Sequence, residues 1–143
     1  MPPRTQRARP LPEVELKKLT PILTVEAIEP SLPFWVDALG FTKTADVPHE
    51  GKLGFAILER DGYEVMLQTV ASMQADVPAV APPSGGSVLF LEIEDLGAIE
   101  EAVADYEVLV PRRKTFYGAE EIFVREPGGN VVGFAQFGTA AEG

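Results

Sequence analysis

The stretch EEIFVREPGGNVVGFAQF, residues 120–137, reads as strand, turn, strand. Ile122, Phe123 and Val124 are β-branched or aromatic, Pro127-Gly128-Gly129-Asn130 interrupts the chain, and Val131, Val132, Phe134 and Phe137 resume an apolar run. That pattern predicts a β-hairpin. FAILERDGYEVMLQ, residues 55–68, has the same layout. Glu59 stands 67 residues before Glu126, Gly62 before Gly129 and Val65 before Val132, so a constant shift aligns the two hairpins and predicts an internal duplication.

The rest of the chain extends the repeat. LTPILTV (19–25) reads as a strand, with Pro21 at an edge or early position. Glu29-Pro30-Ser31 starts a short helix ended by Gly40, whose Leu32, Trp35, Val36 and Leu39 share one face. A strand over 41–45, a polar loop over 46–53 and the hairpin over 54–69 complete a β-α-β-β-β module. SVLFLEI (87–93) restarts the order, Asp95 caps a helix running to about Tyr106, a strand begins at 109–111, and the quoted hairpin closes the second module.

The organisation expected is a basic, Pro-rich arm over 1–17 and a single domain over 18–138. That domain comprises module one (18–70), a linker (71–85) and module two (86–138), and a tail follows over 139–143. Neither module has enough surface to bury a core alone, so the two must pack together. The expected fold class is α+β, two tandem βαβββ modules forming a curved mixed sheet with helices on the outer face and a concave inner face.

Composition removes several function classes. Twenty-two acids against 12 Lys and Arg give a formal charge of -10, which repels phosphate backbones and argues against a nucleic-acid partner. An acidic body weakly favours cationic ligands, although such a surface also serves solubility alone. The absence of cysteine excludes disulfides, thiol nucleophiles and thiolate metal sites. No run has the length of a membrane span and no apolar stretch follows the basic N-terminus, so no membrane association and a cytoplasmic location are expected.

The paired modules, the segment SLPFWVDALGF (31–41) and the turn REPGGN (125–130) resemble the vicinal oxygen chelate superfamily, which includes glyoxalase I, extradiol dioxygenases and bleomycin resistance proteins. The likeness covers 18–138, and PILTVEAIEPSLPFWVDALGF (21–41) is most similar to bleomycin resistance proteins. Enzymes of that superfamily hold a divalent metal with His, Gln or Glu from the first and last strands of each module. Carried over by position, those places fall on Thr20, Met66, Val88 and Gly133, none of which is a strong donor. Slipping the register by two brings in at most Glu64 or Gln68 and Glu92. No metal, no cofactor and no catalytic residue is therefore expected.

The ligand-binding candidates are Met66, Gln68, Phe90, Glu92, Tyr117 and Phe123. Met66 and Gln68 share a strand face, where a flexible thioether and a neutral amide suit a tolerant binding wall, with core filling the competing role for Met66. Phe90 and Phe123 fall on the cup side by alternation, and Tyr117, Phe116 and Phe55 extend the aromatic set. Glu92 is read either as a carboxylate that attracts a cationic ligand or as an ion-pair partner of Arg112 or Arg113. His49, the sole imidazole, reads as a solvated loop residue, Trp35 as core, and Arg112, Arg113 and Lys114 as a solvated edge. The PGGN turn lacks the Lys, the Ser/Thr and the following helix of a phosphate loop. The resemblance implies a homodimer that sequesters an aromatic, cationic small molecule without metal. The alternative is a metal-dependent lyase, isomerase or oxygenase of the glyoxalase or dioxygenase type.

Overall fold

A computed structural model describes residues 14–138. The expected arm over 1–17 lies largely, and the tail over 139–143 wholly, outside the described residues; Val14 to Leu19 are exposed and join no ladder. Among the described residues, eight strands form two four-stranded mixed sheets. Sheet one comprises β1 (Ile22–Val25), β2 (Thr42–His49), β3 (Lys52–Arg60) and β4 (Tyr63–Thr69) in the order β1-β4-β3-β2. Sheet two comprises β5 (Val88–Glu92), β6 (Glu107–Lys114), β7 (Ala119–Arg125) and β8 (Val131–Phe137) in the order β5-β8-β7-β6. In each, the first strand runs parallel to the last and the other pairs are antiparallel, so the duplication is as expected.

The repeat is not a constant shift. Phe90 lies 68 residues after Ile22, Gly133 lies 67 after Met66, and Phe123 lies 66 after Ile57, while each of these trios stands side by side across its sheet. The β7–β8 turn is one residue longer than the β3–β4 turn, so Glu59 corresponds to Arg125 and not to Glu126. The shorter turn places Asp61 and Gly62 at positive φ, as a two-residue hairpin loop requires. In the longer one, Glu126 is buried and accepts hydrogen bonds from the backbone N–H groups of Gly128 and Asn130 and from the Asn130 amide. Asn130 in turn accepts from Ser87 N–H, which ties the turn to the start of β5. The REPGGN stretch is thus a structural lock.

The segment after β1 is a 3-10 turn at Glu29–Ser31 followed by a π-helical segment at Pro33–Ala38. The wider turn, marked by the Leu39 N–H to Phe34 carbonyl bond, brings Phe34 and Trp35 inward together. Two further differences come from weak local signals. The polar loop expected over 46–53 is the end of β2 and a tight hairpin at Glu50 and Gly51, because β2 is an edge strand with almost every residue exposed and so shows no alternation. The linker contains a helix, α1 (Val70–Asp76), capped by Thr69, whose hydroxyl accepts from Ser72 N–H. Helix α2 (Leu96–Ala102) is capped by Asp95 as expected but ends before Tyr106.

One apolar core serves both modules. Ala56, Leu58, Val65 and Leu67 from sheet one and Ile122, Val124, Val132 and Phe134 from sheet two share it with Phe34, Trp35 and Leu96. The π-helical segment meets the turn after α2 through Phe34 and Tyr106, whose rings are 5.0 Å apart and edge-on. Gly128 closes against Val25 and Ser31 so tightly that a Cβ there would collide with Val25. The two sheets therefore back onto a common interior through their helices, and their other faces point away from it. The α+β class with two tandem βαβββ modules is as expected, its strands forming two four-stranded mixed sheets with no ladder between them among the described residues.

Candidate functional site

The open faces follow from strand alternation. On sheet one, Ala45, Ile57, Met66 and Ile22 form one row across the strands, and Val47, Phe55, Gln68 and Thr24 the next. On sheet two the corresponding rows are Val110, Phe123, Gly133 and Phe90, then Arg113, Glu121, Ala135 and Glu92. The six candidates thus divide between two separate faces. Met66 and Gln68 stand on the first; Phe90, Glu92, Tyr117 and Phe123 belong to the second. Within one chain the structure does not bring the two groups together.

On the first face, Met66 is half-buried and available, whereas Gln68 is nearly buried and donates to the Ser72 hydroxyl at 3.2 Å. Phe55, beside Gln68, also lies on this face. A shallow pocket here is lined by Val47, His49, Phe55, Gln68, Ser72 and Asp76. His49 ends β2 and is not a loop residue; its Nε2 lies 3.9 Å from Glu50.

The second face is aromatic and ordered by a carboxylate that the sequence reading missed. The Phe90 and Phe123 ring centroids are 6.4 Å apart. Phe123 lies across Gly133, where an added Cβ would stand 2.5 Å from its ring. In the adjoining row Glu121 is fully buried. Its Oε1 accepts from Arg113 Nη2 at 2.5 Å and Nε at 3.0 Å, and its Oε2 accepts from the Tyr117 hydroxyl at 2.6 Å. Burial pushes the Glu121 carboxyl up, but Tyr117 and Arg113 together outweigh it and hold it below the usual carboxylate range. The same hydrogen bond to Glu121 pushes the Tyr117 phenol up. Glu121 has the same strand parity as Phe123, two residues on, and that parity was the signal for it.

Arg112, Arg113 and Lys114 are exposed on the edge strand β6, as expected, and the two arginines are also ion-paired. Arg112 bridges Glu100 and Glu120, and Arg113 holds Glu121. Neither pairs with Glu92, which stays exposed on the edge strand β5 with no ion-pair partner among the described residues. Tyr117 is in the β6–β7 turn, its ring 6.0 Å from that of Phe137, while Phe116 is almost wholly exposed. Trp35 is core, as read.

The metal positions can now be placed on observed register. Met66 pairs across with Ile22 and Gly133 with Phe90, so the first-strand places shift by two residues from Thr20 and Val88. The resulting quartet has no imidazole or carboxylate. Glu64 is engaged by Lys18 and Thr20, and both oxygens of Glu121 are occupied. Among the described residues, no three His, Cys, Asp or Glu side chains are grouped to hold a metal ion. The residues present do not fit the divalent metal of the metal-dependent relatives.

The family model described as Glyoxalase/Bleomycin resistance protein/Dioxygenase superfamily matches residues 17–134. No curated protein matches the chain. Among solved structures, a glyoxalase/bleomycin resistance protein/dioxygenase from Nocardioides is 20% identical, with 88% of each chain covered and a TM-score of 0.66. The bleomycin-binding protein of Streptomyces verticillus, complexed with copper(II)-bleomycin, is 25% identical over 85% of this chain and 96% of its own, with a TM-score of 0.57. A lactoylglutathione lyase from Agrobacterium tumefaciens is 15% identical over 85% and 95%, with a TM-score of 0.67.

Proposed function

The chain belongs to the Glyoxalase/Bleomycin resistance protein/Dioxygenase superfamily, and from that premise we propose that it is a metal-free binding protein for an aromatic, cationic small molecule. The observation that carries this reading is the Phe123 ring lying over Gly133. It fills the last-strand position with an aromatic wall in place of a ligating side chain. Phe90 stands beside that wall as a stacking partner, and Glu92 on the same strand provides an unpaired negative charge. Met66 and Gln68 supply the adaptable opposite wall.

The proposal includes a homodimer. Each chain presents two half-sites that do not face each other, and large apolar residues on them are exposed: Ile22 and Val47 on one face, Val88 and Phe90 on the other. Placing face one of one copy against face two of its partner covers these residues and completes two grooves per dimer. The lack of cysteine supports a cytoplasmic setting. Among the described residues no helix is long and apolar enough to cross a membrane.

Calorimetric titration with metal-free and copper-loaded bleomycin, alongside metal analysis of tag-free protein, tests the reading. Saturable binding by protein that contains no stoichiometric metal is expected. One equivalent of Fe, Ni or Zn per chain, lost with activity on chelation, overturns it in favour of the metal-dependent enzyme.

A further inference from the structure

The row of face two that runs Arg113, Glu121, Ala135, Glu92 has its counterpart on face one in Val47, Phe55, Gln68, Thr24. Val47 stands where Arg113 does in the repeated fold, and Phe55 stands where Glu121 does. The βαβββ frame thus accepts an apolar pair at these two places, so the ion pair of module two is not a requirement of the fold. On face one, Val47, Phe55 and Gln68 of that row line the shallow pocket. The row is therefore one that faces a cavity on the open side of its sheet.

In module two the same places are occupied by a carboxylate and the groups that roof it. Glu121 is fully buried although it lies on the open face, because Arg113 and Tyr117 cover it. One of its oxygens is taken by Arg113 Nε and Nη2 and the other by the Tyr117 hydroxyl, so the carboxylate itself has nothing left for a ligand. What it presents on the face is Arg113, whose side chain is 55% exposed and whose Nη1 has no hydrogen-bond partner among the described residues. Two bonds to a buried anchor fix the guanidinium plane, so little freedom remains to be lost when Nη1 meets an acceptor.

We propose that Arg113, positioned by Glu121, is a second recognition point of the groove and takes a neutral planar acceptor on the ligand, a carboxamide or similar carbonyl group. This rests on the groove reading and adds to it a polar group at the opposite end of the aromatic ring from the cation. Bonded to Glu121, the guanidinium lies over β7, and Glu92 is two strands away on β5, about 10 Å at ordinary strand spacing. The Phe123 and Phe90 rings stand in the adjoining row between those two strands. Charge decides between acceptors. Arg113 and Glu121 neutralise each other in a chain of formal charge -10, so a carboxylate gains no net attraction, whereas a neutral carbonyl still accepts a charge-assisted hydrogen bond from Nη1.

The full chain is titrated by calorimetry with 4-phenylbutylamine, 4-(4-aminobutyl)benzamide and 4-(4-aminobutyl)benzoate. The benzamide is expected to bind about tenfold more tightly than the plain amine, and the benzoate no more tightly than the plain amine. Arg113→Lys keeps the charge but not the planar donor array, and is expected to bring the benzamide down to the affinity of the plain amine. Glu121→Gln is expected to strip the counter-charge from Arg113, so that the benzoate overtakes the benzamide; a gain of that kind cannot come from loss of structure. A benzamide advantage that survives Arg113→Lys, or equal weakening of all three probes by Glu121→Gln, overturns the assignment of Arg113. Equal affinity of the three probes for the parent chain overturns it too, while leaving the groove in place. Binding by none of them removes the groove and this recognition point together.

Discussion

The Phe123 ring covers Gly133 so closely that no side chain fits between them. Gly133→Ala therefore forces the ring from its place, and such overpacking costs about 1–3 kcal/mol. Urea denaturation should show the loss. Phe123→Leu removes the obstruction, so the double variant Phe123→Leu/Gly133→Ala should lose less than the sum of the single variants. Strict additivity would mean that the two residues are not in contact.

Glu121 should give stability a specific acid dependence. Its carboxyl is held below the ordinary range in the folded chain, so its contribution is fully present above the unfolded value of about 4.3 and is lost as pH falls through the lower folded value. Glu121→Gln is expected to cost about 1–3 kcal/mol at neutral pH through lost charge-assisted hydrogen bonds. The gap between the two proteins, followed by urea midpoints from pH 7 to 3, should close in acid. A constant gap would show that the loss is one of shape rather than charge.

Glu126 accepts three hydrogen bonds inside a turn that packs against the other module. Glu126→Ala leaves the Gly128 and Asn130 donors without their acceptor and is expected to destabilise by about 3 kcal/mol or more. Because the turn abuts Val25 and Ser31, hydrogen exchange should rise around β1 as well as in the hairpin. Faster exchange confined to the turn would contradict its role as a lock between modules.

The exposed apolar residues of the open faces lead to a mass prediction. At tens of micromolar, sedimentation should give twice the chain mass, and Phe90→Lys, on the edge strand of sheet two, should shift the protein towards the monomer and weaken groove binding together. A monomeric parent protein would remove the second wall from the proposed groove.

Much of the fold was legible because its signals are local. The two hairpins announce themselves through alternation and through Asp61-Gly62 and Gly128-Gly129, and Asp95 marks the start of α2. Strand β2 was not legible, since an edge strand exposed on both sides has no apolar face to alternate. Helix α1 was hidden in a stretch whose composition resembles a connector. Of the site, Phe90 and Phe123 could be placed by parity. Glu121 was overlooked because a carboxylate in a Glu-Glu pair reads as solvent-facing unless its parity with Phe123 is taken seriously.

The sequence by itself determined that two like modules exist and which residues share each strand face, since these depend only on residue type and a period of two. Tertiary structure decided that the two open faces turn away from one common core, that Glu121 is buried against Arg113 and Tyr117, and that one extra turn residue displaces Glu126 from the repeat. Those outcomes depend on which surfaces pack together. A strand's pattern names its apolar face, but only the packing of helix against sheet and module against module fixes what each face meets.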